Sequence, residues 1–398
     1  MQIRTVHPFP ARMAPDLALA FLAELPADSL VLDPMAGSGT VLRQALALGH
    51  RAIGFDMDPL AVLMSRVWTA PINEDVIDRE LRALMSAAAA VDLRSQRLHW
   101  HDAETREFVR YWFDAPQRRA LTRLAIVLDD LRRTCRSAPR LVALDVISIA
   151  LSRLIVTKEQ GASLARDTSH SRPHRVATES SYDVNSSFLR SVQQLKKRLA
   201  EQRPTHAAQV ALGDARDLAL APRSVDAILT SPPYLNAIDY MRGHRLSLVW
   251  LGYRLEELRT IRSSTIGAER GAGASLPKDV HAIASAMCDV EALAPRQRRM
   301  VERYALDLKR MLIQVERVLT LRGQATFVVG NSCLKEIFIR NSEGVVKAAE
   351  FAGLRLTQVR ERELPTASRY LPMTTQGALS KRMRTETVMT FATSGMKH

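Results

Sequence analysis

Residues Ser29-Leu30-Val31-Leu32 form a short apolar run that stops at Asp33-Pro34 and passes straight into Met35-Ala36-Gly37-Ser38-Gly39-Thr40. An apolar run this brief, closed by a glycine turn, reads as a strand buried in a parallel sheet. Gly37 and Gly39 permit positive φ and let another group approach the backbone closely. Residues 41–48 then have helical spacing, with Gly49 suited to the C-terminal cap. Residues 51–55 read as a second strand ending at Asp56, and residues 59–68 as a helix with Pro59 in its first turn. Strand, glycine turn, helix, strand, acid, helix is the opening of a doubly wound α/β sheet, and the helix N-terminus beside the turn presents free N–H groups to a ligand.

Two nucleotide-binding versions of this turn fail on detail. A phosphate-cradling loop needs Gly-Lys-Ser/Thr, and no lysine follows Gly39. The dinucleotide fingerprint needs a third glycine where Leu42 stands. Asp56, 23 residues beyond Asp33, is placed to accept hydrogen bonds from ribose hydroxyls, with Asp58 as a substitute. Gly213-Asp214 follows another strand-like run, residues 208–212, and its carboxylate can accept a bond from an adenine amino group. Each acid taken alone also reads as a solvated strand end.

Beyond this opening the pattern becomes helical and arginine-rich. Candidate helices cover residues 15–25, 78–98, 104–136, 141–157 and 187–202, with an irregular polar stretch from 161 to 187. Strands resume at 208–212, 225–230 and 324–329, and terminal strands are expected at 354–362 and 386–393. Helices are expected at 295–319 and 343–352, and a Gly/Ser loop at 262–277. The division that follows is an α/β core, residues 1–71 plus 206–398, interrupted by a helical insertion, residues 72–205. The insertion is a candidate target-recognition region, clamp or dimerisation element.

Lys and Arg number 56 against 42 Asp and Glu, a net charge of +14 that favours a polyanionic partner. Only three cysteines, Cys135, Cys288 and Cys333, are present and far apart, which points away from zinc or disulfide frameworks and toward a reduced, cytoplasmic setting. His170 and His174 lack the supporting ligands of a metal site. The N-terminus lacks a signal-peptide apolar run, and no stretch is long enough to span a bilayer.

The second chemical motif is Ser231-Pro232-Pro233-Tyr234, directly after the run 225–230. An exocyclic base amine is a poor nucleophile because its lone pair is delocalised into the ring. Two acceptors bonded to its two hydrogens steer that pair out of the ring plane. The Ser231 hydroxyl and the Pro232 carbonyl can be those acceptors, held rigid by consecutive prolines, with Tyr234 stacking on the base. Asn236, Asp239, Tyr240 and Arg242 follow closely enough to shape a base pocket. The polar and cationic stretch 161–175, and residues 368–372 and 381–384, are candidates for contact with a nucleic-acid backbone.

Taken together, Asp33–Thr40 and Ser231–Tyr234 resemble the motifs of the S-adenosylmethionine (SAM)-dependent DNA amino-methyltransferases, which methylate N4 of cytosine or N6 of adenine. His7-Pro8-Phe9-Pro10-Ala11-Arg12-Met13 is similar to the extra N-terminal cofactor motif of that family. The resemblance implies a Rossmann-like, seven-stranded methyltransferase sheet. It implies that Phe9, Asp33, Gly37, Gly39, Thr40, Asp56 and Asp214 hold SAM, and that Ser231, Pro232, Pro233 and Tyr234 hold the amine. Serine at the first tetrapeptide position is more usual in the cytosine-N4 enzymes. The implied partner is double-stranded DNA with the target base flipped out, and a cognate restriction endonuclease is a candidate second partner. Rival readings are an adenine-N6 enzyme, an RNA methyltransferase acting on guanine N2, and a nucleic-acid-binding module that retains the fold.

Overall fold

The computed structural model describes residues 5–9, 13–166, 173–201, 203–235, 239–268, 277–334, 337–363 and 385–394. The chain opens with α1 (Pro15–Leu22), β1 (Leu30–Asp33), α2 (Thr40–Ala47), β2 (Arg51–Asp56) and α3 (Pro59–Thr69). Five helices follow: α4 (Glu74–Ala90), α5 (Ala103–Trp112), α6 (Ala115–Thr134), α7 (Ala138–Ser152) and α8 (Val184–Ala200). Between the last two lies a small hairpin of β3 (Ala165–Arg166) and β4 (His174–Arg175). The chain then returns to the sheet through β5 (Gln209–Leu212) and β6 (Val225–Thr230). It continues as α9 (Met241–Leu248), α10 (Leu255–Ser264), α11 (Lys278–Met287), α12 (Pro295–Val318) and β7 (Leu319–Gly330). Last come the hairpin of β8 (Ser332–Leu334) and β9 (Ile337–Ile339), then α13 (Asn341–Ala352), β10 (Leu354–Glu363) and β11 (Thr385–Thr393).

Seven strands form one sheet in the order β10-β11-β7-β6-β1-β2-β5. The five from β5 to β7 are parallel, and β11 is antiparallel to both β7 and β10. This is the doubly wound α/β sheet expected from the glycine turn, with the seven strands that the family resemblance implied. Leu32, Ile228 and Phe327 pack on one face with α11, α12 and α13, while Val31, Leu229 and Val328 pack on the other with α1 and α2. Burial on both faces explains why these strands read as continuous apolar runs rather than alternating ones.

The helices of residues 72–205 share an apolar core with α3 and α9, including Trp68, Phe113, Phe188 and Trp250. Polar ties cross the same boundary. The buried Asp145 of α7 forms ion pairs with Arg66 of α3 at 2.6 Å and with Arg132 of α6 at 2.7 Å. Within the helical segment, Arg140 clasps Glu80 with two hydrogen bonds, 2.8 and 2.9 Å.

Three expectations need correction. The single helix expected over 104–136 is two helices, α5 and α6. Asp114 caps the second by accepting from the Ala115 amide, and Pro116 in its first turn cannot continue the first. The helix expected to reach Leu98 stops at Ala90, because Asp92 folds the chain into a turn by accepting from the Arg94 amide. Residues 262–264, read as loop, close α10. Helices α9, α10 and α11 had no strong sequence signal.

From β1 the chain moves outward to β2 and β5, then returns to lay β6 on the other side of β1. The order therefore reverses between β1 and β6, and open α/β sheets bind ligands outside the carboxyl ends of the strands at such a reversal.

Candidate active site

Both chemical motifs lie at that reversal. The glycine turn leaves the carboxyl end of β1 and the Ser-Pro-Pro-Tyr turn leaves the carboxyl end of β6, its parallel neighbour. A buried hydrogen bond ties the two ends together: the Thr230 hydroxyl donates to Asp33 Oδ1 at 2.8 Å.

Gly37 and Gly39 both have positive φ, 52° and 87°. A Cβ on Gly39 would lie 2.9 Å from Ser65 Cα, so the turn presses on α3 at a distance only glycine allows. A Cβ on Gly37 would lie 3.2 Å from the Phe9 ring. The Gly37 carbonyl accepts from the Ser65 hydroxyl at 2.9 Å, and its amide donates to Asp56 Oδ2 at 2.8 Å. Thr40, first residue of α2, is buried, and its hydroxyl has no partner among the described residues. Phe9 stacks on Tyr240 with ring centroids 4.8 Å apart. The segment carrying Phe9 is pinned by α7 and its end: His7 Nε2 lies 2.9 Å from Ser152 Oγ, and Arg153 donates to the Val6 carbonyl.

The acids form a row along β1, β2 and β5. Burial pushes the Asp33 carboxyl up to about 7, the neighbouring charge of Asp56 adding to it. Burial, then the charge of Asp58, pushes Asp56 up to about 6. Burial also acts on Asp58, but the His244 imidazole 2.5 Å away outweighs it and holds that carboxyl below its usual range. Carboxyl groups gathered this closely favour a cationic ligand, which would relieve the repulsion among them. Asp214 sits just beyond β5, where the Gly213 amide donates to the Asp56 carbonyl at 3.1 Å. Its carboxylate is engaged by Arg216, which also reaches Asp307 at 2.7 Å. Asp214 is thus at the predicted place, as one member of an ion network.

On the other turn, Ser231 Oγ donates to the Val328 carbonyl at 2.9 Å. That bond uses the hydroxyl proton and leaves the oxygen lone pairs to accept. Tyr234 Oη is 3.5 Å from Ser231 Oγ, too long for a strong bond. Burial first, and Glu386 second, raise the Tyr234 phenol well above its ordinary range, so it stays protonated. The fully buried Tyr304 of α12 donates to the Pro233 carbonyl at 2.9 Å, fixing the diproline backbone. Pro232 is buried.

Every predicted site residue lies on this rim or at its edge. Thr230, Ser65, His244, Tyr304 and the Val328 carbonyl were missed; only Thr230, adjacent to the tetrapeptide, carried a sequence hint. Of the neighbouring expectations, Tyr240 contacts Phe9, while Asp239 pairs with Arg242 and Arg262. Residues 10–12, His170, Asn236, 368–372 and 381–384 lie outside the described residues.

No family model matches the chain. Over 114 residues it is 32% identical to the Type II methyltransferase M.MvaI of Kocuria varians, covering 27% of this chain and 25% of that protein. Over 261 residues it is 23% identical to the Type II methyltransferase M.BsoBI of Geobacillus stearothermophilus, covering 59% of this chain and 50% of that protein. The alignments thus span a quarter and a half of the lengths of these relatives. Among solved structures, the chain is similar to a TehB-like SAM-dependent methyltransferase of Corynebacterium glutamicum, with 10% identity and a TM-score of 0.30. That alignment covers 94% of this chain and 87% of the other. The fold assignment rests on strand order, not on this likeness.

Proposed function

We propose that this protein methylates an exocyclic amino group of a base in double-stranded DNA, most directly N4 of cytosine, with SAM as methyl donor. The observation carrying the proposal is the junction of the two turns: adjacent parallel strand ends, locked by the Thr230–Asp33 bond. The partial alignments with two Type II methyltransferases support it.

When bound, SAM supplies a sulfonium methyl as electrophile. Gly37 and Gly39 admit it to the crevice, and Asp33, Asp56 and Asp58 favour its positive charge. Phe9 walls the crevice above Gly37. On the substrate side the amine is neutral, so it needs acceptors rather than charges. Ser231 Oγ, its own proton committed to Val328, accepts one amine hydrogen and the Pro232 carbonyl accepts the other. Tyr304 keeps that backbone from shifting, and Tyr234 supports the base plane. With the cofactor bound, the amine nitrogen held by these acceptors would bond to the methyl carbon as that carbon's bond to the sulfonium sulfur breaks, leaving a neutral thioether, and the amine would lose a proton to solvent. Inside a duplex the amine cannot reach this line of attack, so the base is flipped out. Catalysis rests on positioning and on fixed dipoles.

The test is to incubate the protein with SAM carrying a labelled methyl group and duplex DNA, digest the DNA to nucleosides and weigh the labelled base. N4-methylcytosine is the expected product. N6-methyladenine would redirect the base choice, and label in RNA alone would overturn the DNA assignment.

A further inference from the structure

Several of the cationic side chains that tie the helical segment together are neutralised by carboxylates, as in Arg140–Glu80, Arg66–Asp145–Arg132 and Lys196–Asp78. A different arrangement begins at the mouth of the site. Arg242 and Arg262 share the single carboxylate of Asp239, at 3.1 and 2.6 Å. One turn further along α9 stands Arg245, which makes no ion pair among the described residues, and whose buried Nε has no hydrogen-bond partner there. Three guanidinium groups around one carboxylate leave an excess of positive charge.

Arg245 is oriented by an aromatic ring instead of an acid: its Cζ lies 5.2 Å from the centroid of Phe108 on α5. Phe108 leads to Trp112, 6.2 Å away, and Trp112 to Tyr111, 5.0 Å away and nearly perpendicular. Arg175 of the β3–β4 hairpin lies 4.9 Å over Tyr111. The hairpin is anchored here, the Leu164 amide donating to the Trp112 carbonyl at 2.8 Å. Tyr111 is 51% exposed, and His174 and Arg175 are exposed beside it. A ring holds a guanidinium in place without cancelling its charge. An exposed pair such as Arg175 over Tyr111 adds little to the stability of a fold, so stability is a weak reason for it. Cations kept charged and held in place by rings match a polymer of phosphates.

We propose that this stripe, from Arg242, Arg245 and Arg262 across Tyr111 to Arg175, is the track along which DNA backbone reaches the active site. The inference rests on the DNA methyltransferase reading above. On it, the helical segment holds substrate backbone while the sheet holds the reacting groups.

The experiment uses the whole protein and a labelled mixed-sequence DNA duplex, with affinity read by fluorescence anisotropy from about 50 to 200 mM salt. Arg175→Gln and Arg245→Gln should each weaken binding several-fold and reduce the slope of log affinity against log salt by about 0.9. Tyr111→Ala, which frees Arg175 from the ring that orients it, should weaken binding about two- to fivefold. Arg322→Gln, at an exposed arginine near the amino end of β7 and so toward the strand ends opposite the site, should change neither. SAM affinity, measured separately by calorimetry, should stay at the wild-type value in all four. Arg175 is exposed, so its variant tests the stripe even where Arg245→Gln disturbs packing. Stripe variants with wild-type affinity and salt slope, in a protein that does methylate DNA, overturn the stripe and leave the enzyme reading standing. Equal losses in Arg322→Gln overturn it too. Wild-type protein that neither binds nor methylates DNA would sink both readings.

Discussion

The glycine turn and the diproline turn occupy equivalent places at the ends of adjacent parallel strands, yet their chemistry is opposite. Around the first gather carboxylates, Asp33, Asp56 and Asp58, buried enough to repel one another. At the second, the groups assigned to the amine are neutral, a serine whose proton is spent on Val328, a proline carbonyl and a protonated phenol, with Glu386 beside that phenol. Backbone rigidity also comes from opposite sources, positive φ and close packing on α3 in one turn and pyrrolidine rings braced by Tyr304 in the other. The contrast fits the two reactants. A sulfonium gains from charge, whereas an amine that must attack gains from acceptors and would be held as a poor nucleophile by a cation.

Substitutions can break this contrast one side at a time. The largest effect is expected from Ser231→Ala, which removes an acceptor that matters only during transfer. Methyl transfer should fall by about 10²–10³-fold, while SAM affinity by calorimetry stays within twofold. Equal labelling of DNA by variant and wild type would remove the role given to Ser231. Gly39→Val attacks the other side. Its Cβ meets Ser65 at a φ of 87°, and the strain should cost about 1–3 kcal/mol in thermal unfolding together with much of the SAM affinity. An unchanged Tm would mean that the turn is looser than described.

Acidity sharpens the contrast further. Asp33 near 7 and Asp56 near 6 are partly protonated in mild acid. SAM affinity should rise on the order of tenfold between pH 5.5 and 7.5 as they ionise, following the linkage of charge to binding. Stability without ligand should move the other way. Between about pH 4 and 7 the folded state holds protons the unfolded state has lost, so the contribution of these two groups declines as pH rises through that window. Calorimetric titrations flat across this range would argue against a cation at the carboxylates. The smallest effect is expected from Tyr304→Phe. It leaves the Pro233 carbonyl without its donor, at about 1 kcal/mol of stability, and should slow transfer several-fold without touching SAM affinity. Loss of SAM binding in this variant would show that the two turns are not separable.

Much of the sheet was legible because each buried parallel strand announces itself as an apolar run ended by a glycine or proline turn. β1, β2 and β6 were read to within a residue or two. β7 was found only in its second half, since Leu319 to Gly323 continue it through polar Thr320 and Arg322 at an exposed end. The helix over 104–136 was misread because periodicity persists across Pro116, and the Asp114 cap that separates α5 from α6 counts only once Ser180 comes to share it. Helix α9 was overlooked because Gly243 and His244 weaken its propensity; it forms by burying Leu246 and Leu248 against the helices of residues 72–205.

The residues alone determined the two turns, the acids that follow them and the α/β sheet, since those follow from local spacing and from which groups can lie in a buried strand. Only the folded chain decided that the turns are neighbours, that Thr230 joins them, that Tyr304 and Val328 set the acceptors, and that Phe9 rests on Gly37 through a segment held by α7. These contacts join residues many positions apart in the chain. No local pattern encodes such a contact; it exists only when strand order and helix packing bring its two ends together.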